Sequence, residues 1–166
     1  SGPGAVPGEK ISSVTTQMDH QIKRVVRLVD DMLDISRIRT GKLTLRKERT
    51  DMVAVVKEAI AKLEEDFKKA CVAQPVLDDC GSCVGLWDGM RIEQVVVNLL
   101  TNALKYGEQK PIRVRIESTA STVRLTVIDQ GKGIQADLLE TIFGRFMRAI
   151  SANEVSGLGL GLHISK

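Results

Sequence analysis

The chain has 166 residues, 43% of them hydrophobic, which suits one domain, or one modest domain plus an appended element, and excludes a disordered chain. A net charge of +3 and 3% aromatic residues supply neither the basic field nor the stacking rings of a nucleic-acid binder. No apolar run nears the roughly 20 residues that span a bilayer, and no signal peptide is visible, so this stretch is expected to be soluble and to make no membrane contact.

Residues 1–10 open with the Gly- and Pro-rich SGPGAVPG and read as a linker or cloning scar. Ile11 to Arg39 reads as one long helix. Met18, Ile22, Val25, Val29 and Met32 fall at heptad spacing, and Leu28 and Leu33 widen the stripe to the width a helical bundle needs. Gly41 stands where a left-handed cap ends such a helix. The stripe cannot bury itself, so residues 11–40 are expected to pair with a second copy.

Composition then changes. Leu43 to Arg49 alternates apolar and basic residues and predicts a short strand. Asp51 is a good N-cap for a helix running to about Ala73, which Pro75 stops. Short strands are expected at Val76–Leu77 and Val84–Trp87. Cys80-Gly-Ser-Cys83 lies between them. It reads as a loop holding two thiols; a redox pair or half a zinc site is the alternative, with no second pair to complete it. Three cysteines in total do not make a secreted disulfide framework.

Met90 to Tyr106 predicts a helix with an apolar face of Ile92, Val95, Val96, Leu99, Leu100 and Ala103. Ile112–Glu117 and Val123–Ile128 predict an antiparallel hairpin. A further helix is expected over Ala136–Phe146, and another from Leu160. The hairpin favours an α+β sandwich, one sheet layer against one helix layer, over a doubly wound parallel fold.

Three patterns carry chemistry. Asn98 and Asn102 are four apart and share a helix face, although asparagine is a middling helix former. Carboxamide oxygens suit Mg²⁺, and Lys105 adds a point charge for phosphate; a solvated polar face is the plainer alternative. Asp129-Gln-Gly131-Lys-Gly133 ends a strand. Its carboxylate can accept from an amino group such as that of adenine, while its glycines admit close approach; an ordinary turn explains it too. Gly157-Leu-Gly159-Leu-Gly161-Leu opens a helix with exposed N–H groups suited to phosphates, or is a structural glycine loop. Gly131 to Ala136 also fits a dinucleotide fingerprint, but no parallel strand–helix–strand unit follows it.

Together these patterns resemble the sensor histidine kinases of the GHKL ATPase superfamily. RLVDDMLDISRIRTGKL is similar to the second helix of their dimerisation and phosphotransfer hairpin. WDGMRIEQVVVNLLTNALKY is similar to their N box, DQGKGI to the first glycine box, IFGRFMR to the F box, and SGLGLGLHISK to the second glycine box. The resemblance implies a Bergerat-type two-layer sandwich with a mixed sheet. It divides the chain into a partial dimerisation helix at 11–41 and a C-terminally truncated catalytic domain at 42–166.

By position, Asn102 would hold Mg²⁺, and Asn98 and Lys105 would act at the phosphates of ATP, with Tyr106 beside the nucleotide. Asp129 would recognise adenine in a pocket shaped by Gly131, Gly133 and Ile134. Phe146 belongs to the F box, and Gly157, Leu158, Gly159, Leu160 and Gly161 would border the triphosphate and hinge a lid. Leu158 replaces the family's usual small polar residue. Family members pass the γ-phosphoryl group to a histidine and on to a response regulator receiver domain. No accepting segment is seen here: His20 is followed by Gln21, not by an acidic residue, and His163 follows the glycine run. The resemblance therefore implies a cytoplasmic ATP-binding module unable to phosphorylate itself, compatible with a parent protein anchored in the inner membrane. A nucleotide-sensing module without catalysis, or a serine kinase of the same superfamily, are the alternatives.

Overall fold

The computed structural model describes residues 8–144, 162 and 165, which fall into two compact units, Ser1–Leu43 and Thr44–Lys166. The first unit is a single helix, α1 (Gly8–Arg39), which takes in the last residues of the stretch read as linker. It ends as its sequence requires. Gly41 adopts φ +64°, and Lys42 N–H reaches back to the Arg37 carbonyl at 2.9 Å, closing a left-handed cap. Arg37 and Arg39 place positive charge on the last turn, where the helix dipole favours it. Met18, Ile22, Val25, Val29 and Met32 are all exposed, so the heptad stripe has no cover within its own unit. No helix among the described residues is long and apolar enough to cross a membrane.

The second unit runs β1 (Glu48–Asp51), α2 (Met52–Lys62), α3 (Glu64–Lys69), β2 (Val76–Asp78), β3 (Val84–Trp87), α4 (Gly89–Tyr106), β4 (Arg113–Ser118) and β5 (Val123–Ile128). It is an α+β sandwich. β1 and β3 form an antiparallel ribbon, and β2, β4 and β5 form a mixed sheet in which β2 runs parallel to β4 and β5 antiparallel to it. The core lies between helices and sheet. β4 sends Val114 and Ile116 inward while Arg113, Arg115 and Glu117 stay exposed, the period-2 pattern of a half-buried strand. Against them pack Val56, Ala59 and Ile60 of α2 and Val96, Leu100 and Ala103 of α4. Burying a side chain such as Leu100 contributes about 1.5–3 kcal/mol. Lys62 and Glu93 form an ion pair that joins the solvent edges of α2 and α4.

The predicted Asp51 cap is made, and Asp88 supplies a second that sequence reasoning missed. Asp51 Oδ1 accepts from Val53 N–H at 3.0 Å and from Cys83 N–H at 3.0 Å, so one carboxylate starts α2 and ties it to the loop before β3. Asp88 Oδ1 accepts from Arg91 N–H at 3.2 Å to start α4, and its Oδ2 accepts from Arg46 N–H at 2.9 Å.

Three expectations need correction. The strand read at Leu43–Arg49 forms later, at Glu48–Asp51, because Arg46 N–H is bound by Asp88 and only the following residues meet β3. The helix expected from Asp51 to about Ala73 breaks at Leu63, whose backbone leaves the helix at φ −97°, ψ 6° with its N–H bonded three residues back to the Ile60 carbonyl, and resumes to end at Lys69. Over 136–144 there is no α-helix but one 3₁₀ turn (Ala136–Leu138) and further turns to Gly144. None of these nine residues is buried, so no packed face repays helix nucleation. Phe146 and the helix expected from Leu160, apart from Leu162 and Ser165, lie outside the described residues.

Candidate functional site

α4 carries the first group of predicted residues because it is amphipathic in two senses. Val96, Leu100 and Ala103 are buried in the core, whereas Asn98 and Asn102, one turn apart, lie half-buried along another line of the same helix. Among the described residues no hydrogen bond engages the Asn102 carboxamide, so its oxygen is available as a hard ligand. Thr101, between them, turns its hydroxyl back to the Val97 and Asn98 carbonyls, at 2.8 and 3.1 Å. Lys105 is exposed and Tyr106 half-buried at the helix end.

The second group follows β5. Pairing of Arg113 with Ile128 delivers the chain to Asp129 at the sheet's end. There Asp129 Oδ1 accepts from Gly131 N–H at 2.8 Å, a side-chain-closed turn that fixes the carboxylate as an exposed group. Gly133 takes φ +69°, a conformation that side chains disfavour, and Ile134 is 45% exposed beside it.

These two groups are brought together. A Cβ on Gly131 would fall 2.0 Å from the Tyr106 carbonyl oxygen and 2.9 Å from Gly107 Cα. A Cβ on Gly107 would lie 3.8 Å from the Asp129 Cβ. The turn after β5 therefore sits directly on the C-terminal end of the asparagine helix, and glycine at 131 is what permits the contact. This is the role of close backbone approach that the sequence suggests, but its partner is the helix end. The remaining predicted residues, Phe146, Gly157, Leu158, Gly159, Leu160 and Gly161, lie outside the described residues, so the site is described on its helix and strand sides.

Sequence reasoning missed a clamp beside this contact. Lys110 Nζ donates to Glu108 Oε2 at 2.8 Å and to the Gln130 carbonyl at 3.0 Å. Glu108 and Gln109 both adopt left-handed backbone, φ 54° and 59°, to make the turn that presents it. The Lys110 ammonium, followed by the Lys132 charge, holds the Glu108 carboxyl below the usual carboxylate range. Two non-glycine residues in sequence at positive φ have no local sequence signal.

The cysteine pair is divided by the fold. Cys83 is buried in the core and Cys80 is exposed, both as free thiols. Desolvation, and then the neighbouring Cys83 thiol, raise the Cys80 thiol above its ordinary value.

Comparison with known proteins gives this geometry a context. The family described as histidine kinase-, DNA gyrase B-, and HSP90-like ATPase matches residues 87–166. The sensor histidine kinase MtrB of Mycolicibacterium paratuberculosis (strain ATCC BAA-968 / K-10) is 31% identical over 153 residues, 91% of this chain and 27% of that protein. The chain thus spans about a quarter of that relative's length. The structure of the Acinetobacter baumannii histidine kinase AdeS superposes with a TM-score of 0.73 at 28% identity, covering 92% of this chain and 72% of that one. The histidine kinase ThkA, solved in complex with its response regulator protein TrrA, shares the fold at a TM-score of 0.62 and 21% identity, covering 90% of this chain and 44% of that one.

Proposed function

The chain belongs to the histidine kinase-, DNA gyrase B- and HSP90-like ATPases, as a catalytic domain homologous to those of sensor histidine kinases, and on that premise we propose that it binds ATP·Mg²⁺ for phosphoryl transfer to a protein histidine. The observation that supports this most directly is the seating of the Asp129 turn on the end of the asparagine helix through Gly131. It joins a carboxylate able to accept from an exocyclic amine to a helix bearing two carboxamides and a lysine.

The residues fit the ligand. The Asp129 carboxylate is exposed and held by its own turn, and the half-buried Asn102 carboxamide has no competing partner among the described residues. In this reading Asp129 recognises adenine, with Gly131, Gly133 and Ile134 forming the rim, and Asn102 ligates Mg²⁺. Asn98, Lys105 and Tyr106 line the phosphate side. In the same reading Phe146 belongs to the F box, and Gly157–Gly161 border the triphosphate. Bound ATP·Mg²⁺ supplies the phosphoryl group; the chain supplies positioning and charge neutralisation.

The exposed heptad stripe of α1 supports a homodimer through residues 11–40. The partner after phosphorylation is a response regulator receiver domain, in line with the ThkA complex with TrrA. The chain acts in the cytoplasm, within a longer protein that provides the accepting histidine and any inner-membrane anchor. His20 is not that acceptor, because Gln21 follows it where the family has an acidic residue.

The test is titration of ADP with Mg²⁺ into the wild type and Asp129→Asn. Binding is expected for the wild type, and a loss of about tenfold or more for the variant, the worth of a hydrogen bond to a charged group. Equal affinity in the two would overturn the assignment. Incubation with labelled ATP should leave no acid-labile phosphate on the 166-residue chain.

A further inference from the structure

Asp129 can recognise a base only if the turn that carries it is held in place, and its own hydrogen bond to Gly131 N–H is internal to that turn. Two features fasten the turn to the rest of the unit. One is the contact of Gly131 with the Tyr106 carbonyl. The other is Lys110. Its ammonium bridges the Glu108 carboxylate, on the turn leaving α4, and the Gln130 carbonyl, the residue directly after Asp129. Lys110 is itself anchored, since its N–H donates to the Gly107 carbonyl at 3.0 Å and Pro111 and the buried Ile112 follow it.

The backbone shows that this arrangement is imposed. Glu108 and Gln109 occupy the left-handed region one after the other, at a cost of about 1–2 kcal/mol each for L-residues. A strained turn persists only where its surroundings over-determine it. Here the surroundings are the core-anchored Ile112 on one side and the Lys110 bridge on the other. Neither Glu108 nor Lys110 lies in the motifs that point to the nucleotide.

We infer that Lys110 is a positioning residue for base recognition: with Glu108 it forms a clamp that fixes the Asp129 turn against the end of α4. This rests on the reading of Asp129 as the adenine-recognising group. Lys110 touches no ligand in this scheme and acts through the Gln130 carbonyl. It sets which base is accepted and not how tightly the phosphates are held. Glu108 keeps the ammonium over Gln130.

The test is the ratio of the ADP and GDP dissociation constants, measured by calorimetry with Mg²⁺ on the full 166-residue chain. Lys110→Met keeps the length of the side chain and removes the donor. It should lower the preference for ADP over GDP about fivefold, the net worth of one ordinary hydrogen bond, because Lys110 acts on the base only through the turn. Lys110→Arg, which keeps a donor able to reach both oxygens, should restore it. Glu108→Gln should shift the ratio in the same direction by less. A purely structural role would weaken both nucleotides alike and lower the melting temperature, so an equal loss for ADP and GDP in Lys110→Met overturns the inference, as does an unchanged ratio. A wild type without any adenine preference, or one whose preference survives Asp129→Asn, overturns instead the reading beneath it.

Discussion

Gly131→Ala tests the contact on which the site's geometry depends. The added Cβ would stand 2.0 Å from the Tyr106 carbonyl oxygen and 2.7 Å from its carbon, both backbone atoms. Relief to ordinary contact requires the turn to retreat by about 1 Å or more, since carbon–oxygen repulsion is steep inside van der Waals distance. Neither side yields easily. Tyr106 is the last residue of α4, and the turn is held by Lys110 and by the end of β5. Overpacking of this kind costs about 1–3 kcal/mol, and backbone as the obstacle puts the expectation at the upper end, about 2–3 kcal/mol. For a unit of this size that is a fall in melting temperature of roughly 8–12 °C. Gly133→Ala is the internal control. It has nothing within 4 Å of the new Cβ but a φ of +69°, so it carries only conformational strain, about 1 kcal/mol. Thermal unfolding followed by far-UV circular dichroism compares the two. If Gly131→Ala melts no lower than Gly133→Ala, the seating of the Asp129 turn on α4 is wrong.

The remaining expectations concern the core, the caps and the metal. Leu100→Ala removes a fully buried side chain and should cost about 3 kcal/mol in urea unfolding at unchanged m-value, whereas Leu86→Ala, 67% exposed, should stay within about 0.5 kcal/mol. Asp51 is held below the ordinary carboxylate range first by the Cys83 N–H, and Asp88 first by the Arg46 N–H. The folded chain therefore takes up these protons at lower pH than the unfolded chain, whose aspartates titrate at about 3.9. Their stabilisation is complete above that value and is lost as pH falls through the folded pKa. Urea midpoints should drop between pH 5 and pH 2, and Asp51→Asn should flatten that drop; an unchanged slope would contradict the assignment. Asn102→Ala should leave the melting temperature near that of the wild type and cut the gain in ADP affinity on adding Mg²⁺ by about tenfold. A full Mg²⁺ effect in that variant would move the metal elsewhere.

The sequence carried the parts of this fold whose causes are local. α4 could be read because six apolar residues recur at helical spacing between Asp88 and Gly107, and Asp51 could be read as a cap because a capping carboxylate acts within two residues. The hairpin could be read because β4 alternates strictly. Misreadings began where a distant partner decides. Alternation at Leu43–Arg49 is genuine, yet Asp88, 42 residues from Arg46, takes the N–H that a strand would need. Propensity favours continuing α2 through Leu63, and the apolar spacing of Ile60, Leu63 and Phe67 would suit one unbroken helix, so nothing local marks the break at Leu63. The parallel pairing of β2 with β4 has no local mark at all.

The candidate site divides in the same way. Its residue types were visible, because carboxamides on an apolar helix and a carboxylate among glycines are unusual choices that ask for a reason. Their assembly was not visible, since it depends on how far β5 runs before it releases the chain. Register settles this. With Arg113 opposite Ile128, Asp129 leaves the sheet where β4 begins, and β4 begins seven residues after Tyr106, the last residue of Asn102's helix. A shift of one residue in that pairing would turn Val123, Leu125 and Val127 away from the core and carry Asp129 to the opposite face. The same apolar alternation that buries β5 thus fixes where the carboxylate emerges, so in this chain the core's pattern and the site's geometry are set by one constraint.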